Sequence, residues 1–173
     1  RLGFNNQGAK NILYRIKNNP KQGLLGINIG PNKDTKDRIN DYLIGLNTFH
    51  EFADYITINI SCPNTGEGKT FEDPAALEAL LSGLEITKNE VPSLVKFSVD
   101  TEKKDLEQLV QLCEKFGVEG YVATNTSSSR ENLTTDQQTL EEIGNGGLSG
   151  RAISKKSTQV ISWLNEFLQG SKP

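Results

Sequence analysis

The feature that most constrains the fold is a regular alternation of short apolar segments with longer segments of helical spacing. Four apolar segments, at residues 24–30, 55–61, 93–98 and 120–125, are predicted to be strands. A helical segment follows each of the first three, and a polar loop and a last helix follow the fourth. The resulting order, β-α-β-α-β-α-β-loop-α with a repeat of roughly 30–35 residues, indicates parallel strands joined by right-handed crossovers.

The predicted helices each carry apolar residues on one face. The four apolar stripes are Ile39, Tyr42, Leu43, Leu46 and Phe49, then Leu77, Leu80, Leu81 and Leu84, then Leu106, Leu109, Val110 and Cys113, and finally Val160, Ile161, Leu164 and Leu168. Asp73 followed by Pro74 predicts a helix start, because Asp caps a helix and Pro suits its first position. Gly117 predicts a helix end. Cys113 is therefore expected in the core.

One polar residue interrupts each predicted strand near its carboxyl end. These residues are Asn28, Asn59, Lys96 and Asn125. A doubly wound sheet and a (β/α)8 barrel both fit the alternation, but a ring of polar groups on consecutive strands favours the barrel. A complete barrel takes about 250 residues. The chain begins with Arg1 and has no Met, so we expect a fragment that lacks strands at both ends.

Composition narrows the function classes. The 173 residues carry a net charge of −3, which gives no electrostatic reason to expect nucleic acid as a partner. Apolar runs are too short to span a membrane. Two cysteines, Cys62 and Cys113, form no disulfide framework, so a cytoplasmic location is the default. With His50 as the single histidine, neither a His-rich metal site nor a Ser-His-Asp triad is expected.

Residues 58–65 (INISCPNT) begin as an apolar strand and end in a polar cluster. Asn59, Ser61, Cys62 and Asn64 fall within six residues, although unpaired polar groups are costly to bury. Polar groups gathered at a strand end are typical of α/β enzyme sites. The segment predicts a catalytic site at this edge of the sheet.

Five segments in order resemble the dihydroorotate dehydrogenase family, whose members are FMN-dependent (β/α)8 (TIM) barrels. They are residues 1–5 (RLGFN), 26–30 with Asn32 and Lys33, 59–65, 94–96, and 124–126 followed by 146–150. The resemblance implies that residues 1–173 are a piece of one FMN-binding barrel domain, about strands 3 to 6, without its amino- and carboxyl-terminal parts. Residues 1–5 and 26–33 look most like class 2, the quinone-linked, membrane-associated enzymes. Cys62 departs from this pattern, since class 2 carries Ser there and class 1 carries Cys.

The resemblance also implies a reaction, the oxidation of dihydroorotate to orotate in pyrimidine (UMP) biosynthesis. Cys62 would remove a proton, a hydride would pass to FMN, and Lys96 would contact the flavin. The implied cofactor contacts are Asn28, Asn59, Lys96, Thr124 and Gly150. The implied substrate contacts are Gly3, Phe4, Asn59, Asn64, Asn125 and Thr126. No metal is implied. A quinone is the expected acceptor, with peripheral contact to the cytoplasmic membrane through segments outside this chain, and residues 66–71 would close over the substrate.

Alternatives remain at this point. Gly68-Lys69-Thr70 resembles the end of a phosphate-binding loop, but that motif needs a glycine where Pro63 stands. A class 1-type dihydroorotate dehydrogenase or a dihydropyrimidine dehydrogenase with another acceptor fits the Cys62 position. A truncated, non-catalytic barrel fragment is a hypothesis of a different class, because half a barrel leaves open strand edges.

Overall fold

A computed structural model describes residues 5–19, 21–32, 35–61 and 71–173 of the chain. In chain order the elements are α1 (Ala9–Asn18), β1 (Gly26–Ile29), α2 (Arg38–Phe49), β2 (Tyr55–Asn59), α3 (Pro74–Leu84), β3 (Ser93–Phe97), α4 (Lys103–Lys115), β4 (Gly120–Ala123), α5 (Gln137–Ile143) and α6 (Ser154–Leu168). Short 3-10 turns lie at Ile86–Lys88 and Gly150–Ile153. No helix in these ranges is long and apolar enough to cross a membrane.

The described strands form one parallel sheet in the order β1-β2-β3-β4. Strands that follow one another in the chain are therefore neighbours in the sheet. Ile29 pairs with Ile58, Ile58 with Val95, and Val95 with Tyr121. The parallel sheet confirms the topology expected from the alternation of strand and helix signals.

The two faces of the sheet differ in character, because successive side chains of a strand point to opposite faces. One face packs on the helices, and its buried apolar residues are Ile29, Ile56, Ile58, Val95 and Phe97. We call the opposite face the inner face, and it carries Asn28, Thr57, Asn59, Leu94, Lys96 and Val122. The first face supplies the core, whereas the inner face is mostly polar or only half-buried.

The start of α3 illustrates why these helices form where they do. The Asp73 carboxylate accepts a hydrogen bond from Ala76 N at 3.0 Å, and Pro74 occupies the first helical position. The stripe that follows is buried against the sheet, with Leu77 and Leu80 fully inaccessible. The predicted cap and stripe are both confirmed.

The end of α4 also matches the sequence prediction. Gly117 follows this helix with a φ of 77°, a left-handed conformation that favours glycine. Cys113 is fully buried in the core. Burial raises the pKa of its thiol to about 12, so it is an inert apolar side chain.

Other expectations are wrong in detail. Ile161 was predicted to face inward but is 50% exposed, because Val160, Leu164 and Leu168 alone form the buried stripe of α6. The first predicted strand is shorter than residues 24–30, and Leu24 lies outside it with 86% of its surface exposed. The helices α1 and α5 were not predicted, and neither contains a fully buried residue.

The arrangement decides between the two fold classes that the sequence left open. A doubly wound sheet has helices on both faces. Here α2, α3, α4 and α6 pack into one core cluster with one face of the sheet. The fold is a partial (β/α)8 barrel, in which the inner face corresponds to the barrel interior.

Candidate active site

Three of the four polar residues predicted within strands, Asn28, Asn59 and Lys96, lie on the inner face. The fourth, Asn125, follows β4 instead of lying within it, because that strand ends at Ala123. Asn59 and Lys96 are paired across β2 and β3, and Lys96 is paired with Val122 of β4. Asn28 lies on the same face of β1 but pairs with Thr57, which places it farther from the carboxyl ends. Asn28 is exposed, whereas Asn59 is 4% exposed.

A chain of hydrogen bonds joins the ends of β2 and β4. The Asn125 amide nitrogen donates to Ser61 Oγ at 2.7 Å, and Ser61 Oγ donates to Asn59 Oδ1 at 3.0 Å. Asn125 Oδ1 accepts from Thr126 N at 2.8 Å. Tyr42 of α2 donates its hydroxyl to the Asn59 backbone carbonyl at 2.7 Å. The Asn125 side-chain amide is thereby held through both its nitrogen and its oxygen, whereas Asn59 is held through its side-chain oxygen and its backbone carbonyl.

This pattern sets which groups remain for a ligand. The side-chain carbonyl oxygens of Asn59 and Asn125 already accept hydrogen bonds. Within the described ranges, the Asn59 amide nitrogen donates to no other residue. The Asn125 amide nitrogen also lies 3.4 Å from the Ser61 backbone carbonyl, a long contact that a ligand acceptor could replace. The site is therefore rich in donors and suits a ligand that has carbonyl or carboxylate oxygens.

Lys96 adds a positive charge at the centre of this group. It is half-buried on the inner face, between β2 and β4. None of the ion pairs among the described residues involves Lys96. A lysine in a strand with no carboxylate beside it is suited to bind an acceptor-rich or anionic group.

The segment after β4 links the site to α6. The Ala123–Thr124 peptide bond is cis, and Thr124 Oγ1 lies 3.1 Å from Ser157 Oγ on α6. Asn125 N donates to the Phe97 carbonyl at 2.9 Å, which continues the pairing between β3 and β4. Thr124 and Asn125 are thus held between the sheet and the last helix.

Thr126 packs against a glycine from a distant part of the chain. A Cβ atom at Gly147 would overlap Thr126 Oγ1, so only glycine leaves room for this side chain. Ser127 and Leu148 exchange two backbone hydrogen bonds, of 2.9 Å and 2.8 Å. Gly150 follows with a φ of 81° and no atom within 4 Å of the place where a Cβ would be. This close pairing brings the predicted residues Thr126 and Gly150 into one structural unit.

Glu72 ties the start of α3 to the end of β3. Its carboxylate accepts from Ser98 N at 2.6 Å and from Thr101 Oγ1 at 3.2 Å. Burial raises the pKa of Glu72, and these two hydrogen bonds only partly oppose the change. Phe71, just before it, is buried with its ring edge against Tyr42 at a centroid distance of 5.4 Å.

Four predicted site residues lie outside the described residues: Gly3, Phe4, Cys62 and Asn64. The predicted closing loop at residues 66–71 also lies outside them, apart from Phe71. Asn28, Asn59, Lys96, Thr124, Asn125, Thr126 and Gly150 are described.

Two residues with notable contacts received no individual role in the sequence analysis. Ser61 belongs to the polar cluster, but no motif gives it a role, and its contact with Asn125 spans 64 positions of the chain. Its signal was present all the same, since Asn59 and Ser61 are two residues apart at the end of one strand. Asp100 had no signal, because its partners Ser127, Ser128 and Lys156 are distant in sequence, in the segment after β4 and in α6.

Among the described residues, other parts of the surface provide weaker candidates for a functional site. No group of three or more His, Cys, Asp or Glu side chains there could hold a metal ion. A shallow groove of about 420 Å³ lies along α6 and is lined by Ser154, Lys155, Thr158, Gln159 and Ser162. It includes none of the predicted site residues.

Parallel strands, helices on the outer face and polar side chains at the carboxyl ends together define a partial barrel of the (β/α)8 enzyme class. The family model described as dihydroorotate dehydrogenase matches residues 1–172. The chain belongs to the dihydroorotate dehydrogenase family.

Individual relatives agree with this assignment. The chain is 39% identical to the dihydroorotate dehydrogenase (quinone) of Idiomarina loihiensis, with 100% of this chain and 54% of that protein aligned. It is 37% identical to the protein of the same name from Nitrosospira multiformis, of which it covers 52%. A crystal structure of DHODH in complex with ferulenol from Eimeria tenella superimposes with a TM-score of 0.85 at 25% identity, over 99% of this chain and 53% of that chain. The chain spans about half the length of the relatives that it matches.

Proposed function

We propose that the protein oxidises dihydroorotate to orotate in pyrimidine biosynthesis, with FMN as its cofactor. The observation that carries the proposal is the hydrogen-bond chain Asn125–Ser61–Asn59 beside Lys96, which leaves amide donors and a positive charge on the inner face. Family membership supports the reaction type. The domain as a whole is proposed to be a single FMN-binding barrel.

The donor-rich site suits the substrate. Orotate carries ring carbonyls and a carboxylate, all of which accept hydrogen bonds. Asn59 and Asn125 offer N–H groups in fixed orientations, so the ring would bind without further ordering of these side chains. The proposed substrate contacts are Gly3, Phe4, Asn59, Asn64, Asn125 and Thr126.

The described residues also fit a flavin. Gly150 leaves open space beside the backbone, where a Cβ would otherwise project. Lys96 supplies a positive charge that no described carboxylate neutralises, and such a charge stabilises negative charge on a bound group. The proposed cofactor contacts are Asn28, Asn59, Lys96, Thr124 and Gly150. When bound, FMN would supply the hydride acceptor that the reaction needs.

Cys62 is the proposed base, on the strength of the family resemblance. It directly follows Ser61, whose hydroxyl is fixed by Asn59 and Asn125. A thiol has a pKa of about 8.5 and becomes a thiolate near neutral pH when a positive charge is close. Cys62 would take the proton alpha to the substrate carbonyl while the hydride leaves from the neighbouring carbon.

A quinone is the proposed final acceptor, since the relatives named above are quinone-type enzymes. Quinones dissolve in the membrane, so we extend the proposal to peripheral membrane contact. Cys62 also suits a class 1-type enzyme with another acceptor, or a dihydropyrimidine dehydrogenase.

The test is to mix the full-length protein anaerobically with dihydroorotate and follow the flavin absorbance. We expect rapid bleaching in the wild type. The Cys62→Ala variant should keep its FMN but lose rapid bleaching, whereas Cys62→Ser should retain part of the rate with a changed pH dependence.

Other outcomes would redirect the assignment. Bound flavin that bleaches with dihydrouracil but not with dihydroorotate would point to a pyrimidine without a carboxylate. A full-length protein without flavin would favour the non-catalytic hypothesis. Near-normal bleaching in Cys62→Ala would remove Cys62 from the mechanism.

A further inference from the structure

Asp100, just beyond β3, connects three separate parts of the chain. Its Oδ1 accepts from Ser127 Oγ at 2.7 Å and from Lys156 Nζ at 3.0 Å. Its Oδ2 accepts from Ser128 N at 2.8 Å and from Ser128 Oγ at 3.1 Å. One carboxylate therefore holds the β3–α4 connection, the segment after β4 and the first turn of α6 together.

The segment that Asp100 holds carries proposed ligand contacts. Ser127 directly follows Thr126 and is 2% exposed. Its paired backbone hydrogen bonds with Leu148 bring Gly147 against Thr126 Oγ1 and set the path of the chain towards Gly150. A shift of Ser127 would therefore move both the Thr126 side chain and the glycine segment.

The charge of Asp100 strengthens this connection. Burial by itself would raise the pKa of Asp100, but the hydrogen bonds from Ser127, Ser128 and Lys156 outweigh it and lower that pKa to about 2. The carboxylate is thus ionised at neutral pH. Hydrogen bonds to an ionised acceptor are roughly twice as strong as neutral ones.

We propose that Asp100 is a positioning residue, which holds Thr126 in place for the substrate and the Gly147–Gly150 segment in place for the cofactor. It contacts neither ligand and acts only through Ser127 and Ser128. The inference rests on the proposed function, because Thr126 and Gly150 are ligand contacts only if the site binds a pyrimidine and FMN.

The experiment uses the full-length, FMN-loaded protein and the variants Asp100→Asn, Ser127→Ala and their combination. Asn keeps the shape of Asp but loses the charge, and Ala removes one donor from the other side of the same contact. The measurements are the KM and kcat for dihydroorotate, the Kd of orotate from the change in flavin absorbance, FMN retention and the melting temperature. Asp105→Asn is the matched control, because Asp105 is an exposed acidic residue in the first turn of α4.

We expect Asp100→Asn to raise the KM for dihydroorotate and the Kd of orotate by about tenfold, with kcat changed much less. Ser127→Ala should also raise the KM for dihydroorotate and the Kd of orotate. In the double variant, the fold-increase in Kd should be smaller than the product of the fold-increases in the two single variants. Asp105→Asn should leave all these quantities unchanged. If Asp100→Asn does not fold, Ser127→Ala alone carries the test through the same split between KM and kcat.

Unchanged orotate affinity in both single variants, with a lower melting temperature, would reduce Asp100 to a structural residue and overturn the inference. Equal losses in Asp105→Asn would also overturn it. A wild-type protein that neither binds orotate nor bleaches with dihydroorotate would overturn the proposed function, and the positioning role would fall with it.

Discussion

At the scale of single residues, Ser61 determines how two amides present themselves to a ligand. Its hydroxyl accepts from Asn125 and donates to Asn59, so one small group fixes both orientations. Rotation of either amide would break a hydrogen bond in a site where Asn59 and Ser61 are almost fully buried. The Ser61 hydroxyl, together with Thr126 N at Asn125 Oδ1, therefore sets how the two amides are oriented.

Replacement of Ser61 by Ala should weaken substrate binding while leaving the fold intact. The Asn59 side-chain oxygen would lose the hydroxyl that donates to it, and the Asn125 amide nitrogen would lose the hydroxyl that accepts from it. An unsatisfied buried polar group costs roughly 1–3 kcal/mol. We expect the Kd of orotate, measured by flavin absorbance in the full-length protein, to rise about tenfold or more. Ser162→Ala, on the exposed surface of α6, is the control. An unchanged orotate affinity in Ser61→Ala would contradict the role given to this hydroxyl.

At the scale of elements, α3 depends on a stripe of four leucines. Leu77, Leu80, Leu81 and Leu84 lie between α2, α4 and the sheet, and all are nearly inaccessible. Burial of each leucine side chain removes apolar surface from water and packs it closely, which is the main favourable contribution to folding. Capping by Asp73 adds to the stability of this helix but does not replace the stripe.

Leu80→Ala should lower the free energy of unfolding by about 2–5 kcal/mol, because it removes buried methyl groups and leaves a cavity. Chemical denaturation of the full-length protein, followed by circular dichroism, measures the change. Leu24→Ala is the matched control, since this leucine is 86% exposed and should lose little. Similar losses in the two variants would contradict the assignment of α3 to the core.

The strands and main helices could be predicted from the sequence because each has its own apolar pattern. The inner-face group of Asn59 and Lys96 could be predicted as well, since alternation along a strand determines the face on which each side chain lies. Helix α1 carries a similar pattern, since Ala9, Ile12, Leu13 and Ile16 pack against the core at helical spacing, but the sequence analysis did not identify it. The short helix α5 could not be predicted, because it contains no fully buried residue. Ile161 shows what helical spacing cannot predict. The spacing puts this residue beside a buried stripe, but it does not show whether another element packs over the side chain, which is 50% exposed.

The contacts of Asp100 and Gly147 lay beyond prediction for a different reason. Asp100 meets Ser127 and Lys156 across 27 and 56 positions of the chain, respectively. Gly147 meets Thr126 across 21 positions of the chain. Such contacts arise from the folded backbone as a whole, and no local pattern encodes them.

At the scale of the whole molecule, protonation of Asp100 makes the free energy of unfolding depend on pH. Its pKa is lowered to about 2 in the folded protein, against about 3.9 in an unfolded chain. A lowered pKa means that the contribution to stability is present above about pH 4 and is lost as the pH falls towards about 2. It amounts to at most about 2 kcal/mol, because solvent screens this partly exposed carboxylate.

Urea denaturation of wild type and Asp100→Asn at about pH 6 and at about pH 2 checks this expectation. The variant should be less stable at the higher pH, and the difference should shrink at the lower pH as the wild-type carboxylate takes up a proton. Asp105→Asn again serves as the control. A difference that stays constant between the two pH values would contradict the pKa given to Asp100.

The two faces of the sheet have one more consequence, which concerns how such a protein can change over time. Ile58 and Asn59 are neighbours in the chain, yet one packs against helices and the other lies among the polar groups of the site. Selection for folding stability and selection for the function of the site therefore act on alternate positions of the same strand. A single substitution at one of two adjacent positions can therefore change either stability or the site, and the other property is largely preserved.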